Sequence, residues 1–194
     1  MQETYALQGH YVRLEPLTSA HHAALCEAGL VEELWRWTPQ QITTPAEMLA
    51  YLDATIAARD KELEYPFVTV DLQSNSVIGS TRFMNIDTKN RRLEIGSTWI
   101  TPDHQRTPIN TEAKYLMLRH AFEHLHCLRV EFKTDVLNMK SRDAILRIGA
   151  SQEGVFRNHL ITQSGRVRDT IWFSIIDTEW PEVKRNLEHR LSLH

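Results

Sequence analysis

Cysteine is nearly absent from this chain. Cys26 and Cys127 are the only two in 194 residues, too few for a disulfide framework and in no paired spacing that would bind a metal. Free thiols in this number fit a reducing compartment. No apolar run approaches the length of a membrane span, and the opening stretch MQETYALQGHYVRLE has no apolar signal core. The expectation is a cytoplasmic, soluble protein that does not enter membranes. An excess of positive charge is also missing: 22 Lys and Arg stand against 25 Asp and Glu, a formal net charge of -3, which argues against a general nucleic-acid binder. Repeats, linkers and low-complexity segments are absent. So are the HExxH, CxxC, nucleophile-elbow and Walker patterns.

An ordinary globular balance remains, with 42% hydrophobic and 24% charged residues. The length suits a single domain over 1–194 with a core able to fold alone. The pattern predicts a first strand over 10–16, a helix over 20–28 capped from Thr18, and a short helical piece over 30–37. Thr44-Pro45-Ala46-Glu47 has the composition of a helix start: Thr to cap, Pro at the first position, Glu in the first turn. That helix runs to about Lys61. Strands follow over 65–72, 76–87 and 92–100, the first two joined by Gln73-Ser74-Asn75. Gly96-Ser97 marks a bulge or a splayed strand. A helix over 108–126, a strand over 129–136 and a helix over 139–149 come next, the last stopped by Gly149. Two strands, 152–161 and 167–176, surround Ser164-Gly165, and a final helix covers 177–191. The sum is an α+β fold with a mixed sheet of about seven strands. Strand 92–100, the long helix and strand 129–136 form a right-handed parallel β-α-β unit.

The most informative stretch is LEIGSTWITPDHQRTPINTE, from Leu93 to Glu112. An apolar strand ends in a Pro-Asp turn, and a polar loop feeds straight into an amphipathic helix. A helix start exposes unpaired backbone N–H groups and the positive end of the dipole, so this order makes a ready site for a phosphate or pyrophosphate. The plainer alternative is that Thr107 caps the helix and Pro108 merely starts it.

The succession EIG…W-I-T-P…Q-R-T-x-I-N-T-E-A-K, then R-V-E-F-K-T-D…N-x-x-S-R…G-A, then R-D-T…F-S…E-W-P resembles the GNAT superfamily of acyl-CoA-dependent N-acyltransferases. Within it the chain is similar to the subgroup of ribosomal-protein N-terminal acetyltransferases. The resemblance spans Gly9 to about Leu191. It implies a mostly antiparallel sheet with a splayed central parallel pair, flanked by helices. It also implies acetyl-CoA as cosubstrate, with no metal.

On that resemblance, the loop of Gln105, Arg106, Thr107, Ile109, Asn110 and Thr111 cradles the coenzyme A pyrophosphate. The family pattern Gln/Arg-x-x-Gly-x-Gly/Ala keeps its first position as Gln105, while Pro108 and Asn110 replace the two small residues. Pro108 removes one N–H donor, and Arg106 is a compensating cation. The backbone through Trp99 and Ile100 would pair with the pantetheine amides, and Asn138 would approach the same arm, unless its amide only caps the following helix. Glu94 matches a carboxylate used as the base toward the acceptor amine; the competing role is a structural ion pair with a neighbouring Arg. The family tyrosine that serves the leaving thiolate would fall at Ile145 and is absent. Ser141 is its substitute, or simply a first-turn serine bonded to backbone. Trp35, Trp37 and Arg82 are candidates to line the acceptor pocket, with Phe83 and Asn85 behind them; plain aromatic packing is the alternative for the tryptophans. His120 and His124 have metal-ligand spacing but no acidic partner, and read as solvated helix-face histidines.

The expected function is transfer of an acetyl group from acetyl-CoA to a primary amine, a protein N-terminus or a small molecule, by direct attack. The alternative is a non-catalytic acyl-CoA-binding or sensing domain on the same fold, kept open by Pro108 and the missing tyrosine. A homodimer is compatible with the sequence, which does not specify the acceptor.

Overall fold

The computed structural model describes residues 5–194. The strands are β1 (Leu7–Gln8), β2 (Val12–Pro16), β3 (Tyr65–Asp71), β4 (Ser76–Asp87), β5 (Arg92–Ile100), β6 (Arg129–Asp135), β7 (Ser151–Ile161) and β8 (Val167–Ile176). The helices are α1 (His22–Gly29), α2 (Glu32–Trp35), α3 (Pro45–Asp60), α4 (Pro108–Arg119), α5 (Met139–Arg147) and α6 (Trp180–Ser192). All eight strands form one sheet in the order β1-β2-β3-β4-β5-β6-β8-β7. The extra strand beyond the expected seven is β1, a two-residue piece paired with β2. Its length hides it from any periodicity test.

Each neighbouring pair is antiparallel except β5–β6. The parallel pairing is short. It joins Arg92 to Arg129, Leu93 to Val130 and Glu94 to Glu131, and then stops. A strand–helix–strand crossover built on α4 brings these two strands side by side, as the sequence predicts.

Strand alternation sends side chains to two cores. On one face Leu14, Phe67, Phe83, Leu93 and Ile95 pack with Met117 and Leu118 of α4. On the other, Val68 and Val70 pack with Leu25, Trp35, Met48 and Leu52 from the first three helices. In β5 the alternation changes phase. Leu93 and Ile95 face α4, yet Trp99 lies in the opposite core and Ile100 returns to the first. The cause is the bulge that Gly96-Ser97 suggested: the β4–β5 register shifts between Ser80 and Arg82, and Ser97 has φ +47°.

The long helix is shorter than expected. α4 ends at Arg119 and continues as a wider π-helical turn over His120–His124. His120 is correspondingly not a solvated helix-face residue. It is half-buried, stacked on His124 at 5.3 Å and hydrogen-bonded to the Tyr5 hydroxyl. Burial, with His124 and Arg119 beside it, pushes its pKa down to about 4. His124 is exposed. No helix among the described residues is long and apolar enough to cross a membrane.

Candidate active site

The site begins where β5 leaves β6. Beyond Glu94 the β6-facing edge of β5 has no strand neighbour, and Ser97 and Thr98 at the bulge are exposed. Gly96 leaves room there for its neighbours: a Cβ would sit 2.7 Å from Met84 Sδ and 2.8 Å from Glu94 Oε1 and would push those side chains aside. The left-handed Ser97 costs roughly 1 kcal/mol or more and persists only because its surroundings hold it. An open strand edge of this kind presents N–H and C=O groups to any ligand that offers amides in extended form.

The loop after β5 delivers the chain to the start of α4. Thr101 N donates to Ile78 O at 2.8 Å, and Gln105 Nε2 reaches back to Ile100 O at 3.1 Å, so Gln105 braces the loop against the strand. Arg106 is exposed and left-handed, with φ +63°. Thr107 donates its hydroxyl to His104 O at 2.8 Å and caps nothing. The first turn of α4 therefore keeps its N–H groups uncapped by any side chain among the described residues. Pro108 contributes none, which leaves the N–H groups that follow it. Ile109 turns its side chain into the core, and Thr111 is half-buried. Asn110 Oδ1 is buried with no partner among the described residues. An open helix start fits a phosphate-bearing ligand, though the unsatisfied Asn110 oxygen is an acceptor and gives a phosphate no donor.

Asn138 caps α5: its Oδ1 accepts from Ser141 N at 3.1 Å. The capping alternative is thus realised, and the amide nitrogen remains for another acceptor. The Ser141 hydroxyl is half-buried and makes no hydrogen bond among the described residues. Ile145 packs against the core, so no acid stands in the family tyrosine's place.

Glu94 is 1% exposed. Its Oε2 pairs with Lys133 Nζ at 2.9 Å and accepts from Asn85 Nδ2 at 2.7 Å. Lys133 in turn lies over the Trp172 ring at 5.0 Å. The ion pair considered as Glu94's alternative role exists, but with a lysine from β6 rather than an arginine.

The acceptor-side candidates separate. Trp35 is 2% exposed; its Nε1 donates to Gly29 O at 2.7 Å and its ring packs against Tyr51 and Trp99. It packs in the core, the aromatic packing that was the alternative to its pocket role. Trp99 and Ile100 are also buried by their side chains, leaving only their backbone to a ligand. Arg82 is buried and committed to Glu64 at 2.6 Å and to the Tyr51 hydroxyl. Burial alone would depress its pKa, and those two partners raise it instead. Trp37 is half-buried between two guanidinium groups, Arg36 at 4.9 Å and Arg166 at 5.5 Å.

Sequence reading missed the groups around Trp37. Asp135 is fully buried at the end of β6, bonded to Arg166 and 3.8 Å from Arg168. The segment after α2 is tied to the β7–β8 turn by Gln163 N to Pro39 O at 2.9 Å and Gln41 N to Gln163 Oε1 at 2.8 Å. It therefore bridges from the α1–α3 side to the far side of the strand opening. The available signal was the alternation in RVEFKTD, where Glu131, Lys133 and Asp135 form one polar strand face. No cluster of three or more metal-ligating side chains occurs among the described residues.

A family model described as an acetyltransferase (GNAT) domain matches residues 12–151. The chain belongs to the GNAT acetyltransferase family, whose members use acetyl-CoA. A solved relative, a GCN5-related N-acetyltransferase from Brucella melitensis, superposes with a TM-score of 0.91 at 36% identity, covering 97% of this chain and 86% of that one. The Bacillus subtilis (strain 168) protein named "Putative ribosomal N-acetyltransferase YdaF" is 35% identical over 109 residues. That match spans 56% of this chain and 58% of YdaF, so the chain aligns with a little over half of that relative.

Proposed function

We propose that this chain moves an acetyl group from acetyl-CoA to a primary amine by direct attack. The observation that carries this reading is the open edge of β5 beside an uncapped helix start. Coenzyme A brings the activated thioester. The N–H groups of α4's first turn, with Asn110 and Arg106, hold its pyrophosphate. Gly96 to Ile100 pair with the pantetheine amides, and N–H groups on that edge meet the carbonyl oxygen as charge develops. Asn138 offers its amide nitrogen to the same arm. Trp37 stands at the acceptor entrance, and Arg82 shapes the wall behind it.

Glu94 takes a proton from the acceptor ammonium, directly or through water, and so frees the amine lone pair that attacks the thioester carbonyl. Lys133, paired with Glu94 at 2.9 Å, holds the carboxylate in place. Glu94→Gln lowers turnover about 10²-fold while leaving coenzyme affinity near that of the parent. The loss shrinks as pH rises and the amine deprotonates unaided. A pH-independent loss in a pH–rate profile assigns Glu94 to structure alone. Ser141 hydrogen-bonds the departing sulfur. Single-turnover kinetics on Ser141→Ala read this directly: a rate about 10-fold or more below the parent supports the role, and an equal rate leaves protonation to water.

The YdaF name points to a ribosomal-protein amine as acceptor, so a protein N-terminus is the first class to test, followed by small amines. The deciding experiment adds acetyl-CoA and an amine panel, then reads free thiol and the mass gain of one acetyl group. The Glu94–Lys133 pair favours a second reading, a non-catalytic acyl-CoA-binding domain. It predicts a thermal shift with coenzyme A and no thiol release.

A further inference from the structure

Lys114 is 7% exposed on α4 and has no carboxylate partner among the described residues. Its Nζ donates to Thr98 Oγ1 at 2.6 Å and to Thr81 Oγ1 at 3.1 Å. The two threonine hydroxyls bond each other at 2.8 Å, and Thr81 also reaches Met117 Sδ at 3.6 Å. An ammonium without a counter-ion in a core is unfavourable, and burial pulls its pKa down to about 7. An unbranched apolar side chain would fill the same space without that penalty. The lysine's contacts all serve one place. Thr98 is the exposed residue that follows left-handed Ser97, on the stretch of β5 that has left β6. Thr81 lies on β4 opposite the bulge.

We propose that Lys114 is a positioning residue for acetyl transfer. By gripping Thr98 from the α4 side of the sheet, it fixes the bulge of β5 and with it the open edge from Gly96 to Ile100. The inference rests on the acetyltransferase reading above. In that reaction the amine lone pair forms the C–N bond, and the C–S bond breaks with its electron pair going to sulfur. The surplus amine proton passes to Glu94 or to water. Lys114 exchanges no proton with the reactants and touches none of them. It sets where the backbone N–H groups stand when the carbonyl oxygen gains charge, and a displacement of about 1 Å there is enough to lose about 10²-fold in rate.

The test is Lys114→Met, which removes the charge and both hydrogen bonds at similar volume. The expected result is a Tm equal to or above the parent, kcat lowered by about 10-fold or more, and KM for acetyl-CoA changed less than kcat. A lysine that only supports the fold gives the opposite: a lower Tm, with kcat per folded molecule unchanged. Should Lys114→Met fail to fold, Thr98→Val replaces it, since this exposed side chain keeps its shape and loses the gripped hydroxyl. A kcat at the parental value in whichever variant folds overturns the inference. A parent that neither binds coenzyme A by calorimetry nor releases thiol overturns the acetyltransferase reading, and this inference with it. An active parent with unchanged variants overturns this inference alone.

Discussion

Two helices of this chain begin with the same dipeptide and use it in opposite ways. α3 begins at Thr44-Pro45 and α4 at Thr107-Pro108, both threonines in extended backbone. At α3 the box is closed. Thr44 Oγ1 accepts from Glu47 N at 3.2 Å, and the Glu47 carboxylate accepts from Thr43 N at 2.8 Å and Thr44 N at 3.0 Å. At α4 the threonine hydroxyl turns away to His104 O, and Asn110 takes the place of the glutamate. A capping box satisfies donors that would otherwise wait for water or ligand. The turn of the threonine hydroxyl, with an acid or an amide at the third helical position, separates a helix start that serves the fold from one free to serve a ligand.

The sharpest way to break this comparison is Asn110→Glu, which writes the α3 pattern into α4. The added carboxylate competes with the pyrophosphate for the same N–H groups and repels it. Calorimetry is expected to show the Kd for coenzyme A rising about 10-fold to 100-fold, ~1.4–2.8 kcal/mol, with Tm unchanged or higher. Unchanged affinity removes the pyrophosphate from this loop. A smaller effect separates the two threonines. Thr44→Ala loses a working cap and is expected to cost about 1 kcal/mol, a fall of about 2–4 °C in Tm. Thr107→Ala loses only its bond to His104 O and lowers Tm by less. Equal losses in paired thermal melts would mean that α4 is capped in solution after all.

The smallest effect is one of pH. Hydrogen bonds from Thr43 and Thr44 hold the Glu47 carboxyl below the usual glutamate range. A depressed folded pKa gives stability that is present above the unfolded value and lost as pH falls through the folded one. Melts taken from neutral pH down to about pH 3 should therefore show a slightly steeper acid loss for the parent than for Glu47→Gln. Parallel curves would show that the carboxylate adds nothing to the box.

The β-α-β unit, the bulge at Gly96-Ser97 and the loop-to-helix order from Gln105 to Thr111 were legible because each is written locally, in strand alternation, turn residues and helix-start composition. The partners of Glu94 were not. Lys133 and Asn85 reach it from β6 and β4, and only sheet register brings them there. Trp35 and Trp37 look equivalent in LVEELWRW, yet one is sealed against Tyr51 and Trp99 and the other sits between arginines at the surface. Lys114 reads as an ordinary polar helix position. Its burial follows from how α4 lies on β4 and β5.

The sequence by itself determined seven of the eight strands and the six helices described, their order, the family they resemble and the place where a phosphate would meet a helix, since these rest on contacts between near neighbours in the chain. The tertiary structure decided which polar side chains are occupied and which are open. Glu94 is paired with Lys133, the Asn138 oxygen caps α5 while its amide nitrogen stays open, and the start of α4 carries no side-chain cap among the described residues. Satisfaction of a polar group is a pairwise property of residues far apart in sequence, settled only when the sheet fixes their distance.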